Sequence, residues 1–255
     1  MYNTLLIEDR GYVSVIEINR ANKLNALGDD VRSDLLRAFK DFNSDPTKRV
    51  AILTGKGKAF SSGADLTATG KDSVIDIEDE LANSFHPILK EIVNSKKIFI
   101  SAVKGVVAGA GMSLALACDI SFSSRETNFI MGFQGIALAP DTGLALILSR
   151  LAGGRSKPYL LYGGTFSAKE AEEMGLVQVV DDPFMDAIEL AENLSNGPFR
   201  AYSASKQLMN SSLYHGLDGF LDAETKLQGE LGTSHDFMEG VSAFREKREP
   251  QFNGK

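Results

Sequence analysis

A single cysteine, Cys118, leaves the 255-residue chain without any internal disulfide, so its stability has to come from packing. The three histidines, His86, His215 and His235, stand singly with no ligand spacing to that cysteine, and no metal is expected. No apolar stretch approaches the roughly 20 residues needed to cross a bilayer. Even residues 103–118 are broken by Lys104 and by Gly105, Gly109 and Gly111. Residues 1–9 carry neither a basic leader nor a long apolar segment, so a cytoplasmic protein with no membrane partner is expected. There is no run of Lys or Arg alone and the formal net charge is -7, which argues against nucleic acid as a partner. A polyanionic ligand would need a local patch of basic side chains and helix N-termini.

What is present is the profile of an ordinary globular protein: 43% hydrophobic and 24% charged residues, with 24 Gly and 7 Pro. Residues 5–8 and 12–19 read as a hairpin, and 29–42 as a helix with Val31, Leu35, Ala38 and Phe42 on one stripe. Residues 49–54 and 98–103 are β-branched strands, each followed by a glycine-containing turn and a helical pattern. Residues 118–123 continue that rhythm. A helix is predicted over 140–151 with Pro140 near its start, and a capping box at Ser167 and Glu170 opens a short helix before a strand at 176–180. Beyond Asp181 only helical spacing appears. The predicted class is α/β, with a core over 1–195 and a helical region over 196–255.

Two segments invite chemistry. Residues 59–66 (AFSSGADL) leave a strand through small residues, and Gly63 allows a backbone amide to face a ligand; a tight turn capped by Asp65 is the plainer explanation. Residues 105–112 (GVVAGAGM) run from a strand into an apolar helix whose first amides carry partial positive charge. Close helix packing would use the same small residues. Neither segment is a phosphate loop with Gly-Lys-Ser/Thr or a dinucleotide fingerprint.

Together with residues 19–27 (NRANKLNAL), 129–143 and 239–250, these segments resemble the enoyl-CoA hydratase/isomerase (crotonase) superfamily, in order and over nearly the whole chain. The resemblance implies a spiral of repeated β-β-α units followed by a helical C-terminal region serving oligomerisation, as a homotrimer or hexamer. It implies an acyl-CoA substrate, no cofactor beyond the coenzyme A of that substrate, and a thioester oxygen held between the backbone amides of Ala64 and Ala110. Losing one such donor costs about 3 kcal/mol of barrier. Substrate contacts carried over from the family fall on Lys23, Asp65, Leu66, His86 and Phe133. The tail with Lys247 and Arg248 resembles the segment that members lend to a neighbouring subunit.

The chain departs from the family's hydratases at both glutamates, where Ser113 and Phe133 stand and neither can act as a carboxylate base. Asp141, after Pro140, resembles the acid of the family's isomerases. It would take a proton from C2 of a 3-enoyl thioester and return it at C4, and an apolar surround of Phe133, Ile136 and Leu138 would raise its pKa. A plain helix-start residue is the alternative for Asp141, and a structural histidine for His86. Three other functions stay open: a hydratase with an atypical residue set, attack by Asp141 as nucleophile with His86 activating water, and a noncatalytic acyl-CoA-binding subunit.

Overall fold

The computed structural model describes residues 2–66 and 76–255. The predicted hairpin forms from β1 (Leu5–Arg10) and β2 (Val13–Ile18), antiparallel and turning at Gly11. Helix α1 (Asp29–Ser44) follows, burying Val31, Leu35, Ala38, Phe39 and Phe42 along the stripe read from the sequence. Phe39 and Phe42 both meet the ring of Phe99 edge-on, with centroids 5.3 and 5.2 Å away.

A strand pair and a helix then alternate three times. The first unit is β3 (Val50–Gly55), β4 (Ala59–Ser61) and a continuous helical run, α2 (Ile77–Glu80), a π-turn (Leu81–Phe85) and α3 (His86–Val93). The π-turn lies just before Pro87, which has no N–H to offer the carbonyl four residues back. The second unit is β5 (Ile98–Val103), β6 (Val106–Ala108) and α4 (Ala110–Ala117). The third is β7 (Ile120–Ser123), β8 (Asn128–Ile130) and, after a 3-10 turn (Gln134–Ile136), α5 (Leu144–Leu151). First strands stack in parallel on β2 in one sheet, ordered β1-β2-β3-β5-β7 with β1 antiparallel at its edge and β10 (Gln178–Val179) closing it, while second strands stack in parallel in the other, as β4-β6-β8. This is the β-β-α spiral. Helix α6 (Lys157–Tyr162) leads to β9 (Thr165–Ser167), antiparallel to β8, then α7 (Ala168–Glu173) with the predicted capping box, and β10 (Gln178–Val179).

One sequence expectation fails at a place that matters. The helix predicted over 140–151 begins only at Leu144, because Thr142 and Gly143 take positive φ angles of 53° and 74°. Asp141 therefore sits in a loop ahead of the helix, not in its first turn. The strand expected over 176–180 is likewise confined to Gln178–Val179.

The all-helical part starts at Pro183 with α8 (Pro183–Asn196), followed by α9 (Phe199–Leu213), α10 (Leu217–Gly232) and α11 (His235–Glu246). Helix α8 covers the outer face of the larger sheet with Ala187, Ile188 and Ala191. Helix α9 is pinned by a buried lysine. Lys206 Nζ meets the Ile92 and Lys97 carbonyls at 2.9 and 2.8 Å and Asp119 Oδ2 at 2.8 Å, and that same oxygen accepts the Phe99 amide. Burial opposes each charge taken separately. Three oxygen acceptors around one ammonium nevertheless make this the geometry of a charged pair. Helix α11 packs back on its own chain, Gly240 against the backbone of Ile136, and Arg248 forks onto Glu239 at 2.6 and 2.9 Å.

Lys206→Met should leave Asp119 buried without its partner and lower unfolding stability by about 3 kcal/mol. The double change Lys206→Met with Asp119→Asn should recover most of that loss in urea titrations. Additive losses would show that the pair is not the pin.

Candidate active site

The parallel pairing of β4 with β6 creates the site. Ser61 lies opposite Val107 in that ladder, so the two chain segments leaving the strands emerge side by side. At Gly63, with φ of 84°, an added Cβ would stand 2.9 Å from the Ala108 carbonyl and 3.6 Å from Gly109 Cα. Only glycine fits where two backbones approach so closely in that conformation. Ala64 and Ala110, the residues predicted as oxyanion donors, come next after this glycine pair. Among the described residues neither of their N–H groups has an acceptor. Ala110 is also the first residue of α4, a helix buried on all sides, so the dipole of its first turn is not screened by water.

Residues 20–27 are stitched to this corner. Asn25 Nδ2 donates to the carbonyls of Ala59 and Lys56 at 2.7 and 3.0 Å, Ser61 Oγ donates to Asn25 O at 2.8 Å, and the Leu27 amide donates to Gly63 O at 2.8 Å. The stitching brings Lys23 to Asp65, with Nζ 3.0 Å from Oδ2. The Leu66 carbonyl accepts from Arg245 of α11 at 3.2 Å. Lys23, Asp65 and Leu66 thus gather on the Ala64 side.

Phe133 closes the other side, its Cζ 3.7 Å from where a Cβ on Gly109 would stand. Ser113 is fully buried in α4 and donates to the backbone carbonyl of Asp141 at 3.2 Å. The two positions that resemble the hydratase glutamates therefore hold a ring and a hydroxyl already turned to the backbone.

Asp141 keeps partial access while protein surrounds it on nearly every side. Burial pushes its carboxyl up to about 7, and the carboxylates of Glu224 and, more weakly, Glu80 push the same way. Hydrogen bonds from Thr142 Oγ1 at 2.9 Å and Gln228 Nε2 at 3.1 Å pull in the opposite direction without prevailing. Phe133, Ile136 and Leu138 are all buried on the segment leading to it.

His86 is engaged elsewhere. Its Nε2 lies 2.8 Å from Glu224 Oε1, and its Nδ1 is 3.5 Å from the Thr225 hydroxyl. Among the described residues it reaches the Asp141 loop through Glu224, which accepts the Gly143 amide with both oxygens at 3.1 Å. Sequence reasoning missed Glu224 and Gln228 altogether. Their signal is there to be read: both interrupt the buried stripe of α10 that Leu217 and Leu221 begin, where further leucines would be the ordinary choice.

Two amides without acceptors among the described residues, beside a close glycine pair, together with a carboxyl raised to about 7, are groups that can stabilise negative charge on a carbonyl oxygen and move a proton. Residues 8–255 match the family model described as enoyl-CoA hydratase/isomerase. The chain is 37% identical over 95% of its length to the 1,2-epoxyphenylacetyl-CoA isomerase of Escherichia coli (strain K12), of which it covers 95%. It is 36% identical over 100% of its length to a probable enoyl-CoA hydratase of Rhodobacter capsulatus, covering 99% of that protein. The crystal structure of an enoyl-CoA hydratase from Mycobacterium avium subsp. paratuberculosis superposes with a TM-score of 0.89 at 29% identity, over 99% of this chain and 100% of that one. The chain belongs to the enoyl-CoA hydratase/isomerase family and has its crotonase fold. It is an enzyme of the acyl-CoA type.

A carboxyl whose folded pKa is raised binds more protons in the folded than in the unfolded state between about pH 4 and pH 7. Its contribution to stability is present at low pH and is lost as the pH rises through that window. Asp141→Asn has nothing to ionise. Its melting temperature should therefore gain on the wild type as the pH is raised from 4 to 8, by the equivalent of up to about 4 kcal/mol. A difference that does not change with pH would mean that Asp141 titrates as an ordinary surface carboxylate.

Proposed function

We propose that the enzyme isomerises 3-enoyl-CoA to 2-enoyl-CoA, with Asp141 carrying the proton and the amides of Ala64 and Ala110 holding the thioester oxygen. The reading is carried by one observation: Asp141, tied to α4 through Ser113, is pushed by burial up to about 7, while Ser113 and Phe133 stand at the two glutamate positions and Asp65 is paired with Lys23. Ionised Asp141 removes a proton from C2, and the C2–H electron pair moves into the dienolate, whose charge gathers on the thioester oxygen between the two amides. The electrons then return through the carbon chain, C4 takes the proton back from Asp141, and the double bond ends between C2 and C3. Water and cofactor are not consumed; coenzyme A is part of the substrate. A base with a pKa near the working pH combines the ionised form with useful proton affinity, which is what a single carrier needs in both steps.

In this reading Lys23, beside Asp65, would meet a phosphate of the coenzyme, and Phe133 and Leu66 would flank the thioester. The assembly that goes with this reading is a homotrimer or hexamer, in which exposed Leu161, Tyr162 and Leu208 would be covered; light scattering that reads a monomer would remove it.

A second reading follows from the Escherichia coli relative named 1,2-epoxyphenylacetyl-CoA isomerase. The same base and amides would serve a ring-derived thioester, again by moving one proton beside the carbonyl.

Wild type and Asp141→Asn should be offered 3-enoyl-CoA, 2-enoyl-CoA and a ring-epoxide acyl-CoA side by side. The expected result is isomerisation of the 3-enoyl thioester by the wild type and a loss of more than about a hundredfold in the variant. The wild-type kcat/KM should fall as the pH drops below about 7, because the base must be ionised. Equal rates for both proteins would remove Asp141 from the mechanism. Dominant hydration of the 2-enoyl thioester would favour a hydratase, and turnover of the ring epoxide alone the second reading.

A further inference from the structure

One helix grips the Asp141 loop on both flanks. Gln228 Oε1 accepts the Ala139 amide at 3.1 Å, and its Nε2 donates to the Ala139 carbonyl at 2.8 Å and to Asp141 Oδ2 at 3.1 Å. One turn earlier on the same face of α10, Glu224 accepts the Gly143 amide with both oxygens, and His86 Nε2 braces it from α3 at 2.8 Å. Both side chains are buried, Gln228 completely. A buried amide and a buried carboxylate are costly unless bonded, and leucine at either position would simply extend the apolar stripe. Their bonds go mainly to alternate residues 139, 141 and 143 of a loop whose Thr142 holds a left-handed conformation that β-branched residues rarely adopt.

We infer that Glu224 and Gln228 are positioning residues for the Asp141 carboxylate: Gln228 orients its Oδ2 while Glu224 and His86 hold the strained turn that follows. The inference rests on Asp141 being the proton carrier. In this arrangement α10 sets both the direction and the proton affinity of the base. The charged groups acting on Asp141 are Glu224 from α10 and Glu80 from α2; behind them stand His86 of α3, 2.8 Å from Glu224, and Arg32 of α1, 3.4 Å from Glu80. From α4 comes only the Ser113 hydroxyl, on the Asp141 carbonyl.

The two residues act on that affinity with opposite sign, and this separates positioning from mere stabilisation. Glu224→Gln removes a negative neighbour but keeps an oxygen for the Gly143 amide. The acid limb of kcat/KM should then move below the wild-type value by at least about half a pH unit. Gln228→Met keeps the volume but removes a donor to the carboxylate, so the limb should move up by a similar amount. Each should lower kcat about tenfold with KM changed less than about twofold, since both side chains act on the proton transfer rather than on coenzyme binding. Should Gln228→Met fail to fold, the near-isosteric Gln228→Glu should give the larger upward shift. Limbs that stay at the wild-type pH, or move in the same direction, would overturn the inference even if melting temperatures fall. Asp141→Asn, measured in parallel with 3-enoyl-CoA, separates the two levels. If it stays active, the base assignment fails and the positioning role falls with it. If it is dead while the α10 variants keep wild-type profiles, only the positioning role fails.

Discussion

Parallel hydrogen bonding between β4 and β6 is the constraint on which the rest depends. Two paired strands that run the same way end side by side, here with a register shift between Ala59 and Ser61, and the residues that follow turn in the same place. Gly63 and Gly109 let the turning backbones touch, and the amides of Ala64 and Ala110 follow that contact. The spiral exists to make this possible. Each turn places one strand in the large sheet and the next in the small one, so strands 47 residues apart, such as those bearing Ala59 and Val106, become neighbours.

Against that corner the chain sets a carboxylate in a place that disfavours its charge. Burial and two other acids raise Asp141, and two neutral donors moderate the rise. The balance leaves the group half ionised near neutrality, the state required of any carboxyl that is to take a proton and return it. The same balance costs stability at neutral pH. An apolar residue there would pack better, as would a relaxed turn in place of the left-handed Thr142.

The helical C-terminal part cannot be separated from the candidate site. Helix α9 is anchored to the core by Lys206 and hands the chain to α10, which bonds to the Asp141 loop, and α11 then reaches Leu66 with Arg245. Composition marks a change of character after Asp181, yet the site draws on both sides of it. The tail that resembles a segment lent to neighbours has its basic Arg248 committed to Glu239 of its own chain.

Much of the architecture was legible because it is local. The apolar stripe of α1, the β-branched strands, the capping box at Ser167 and the small residues around Gly63 and Gly109 are written in short windows of spacing and turn chemistry. Ordered motifs resembling the superfamily then supplied the spiral, and marked Ala64, Ala110, Ser113 and Phe133 as the positions to inspect. The loop before α5 is not legible in the same way, because a proline followed by an acid also suits a helix start, and nothing nearby announces that Thr142 turns left-handed. Which groups surround Asp141 was decided only by tertiary structure. Gln228 lies 87 residues from it and Glu224 lies 138 residues from His86. A carboxyl's pKa depends on what packs around it in space, and no local pattern of residues carries that information.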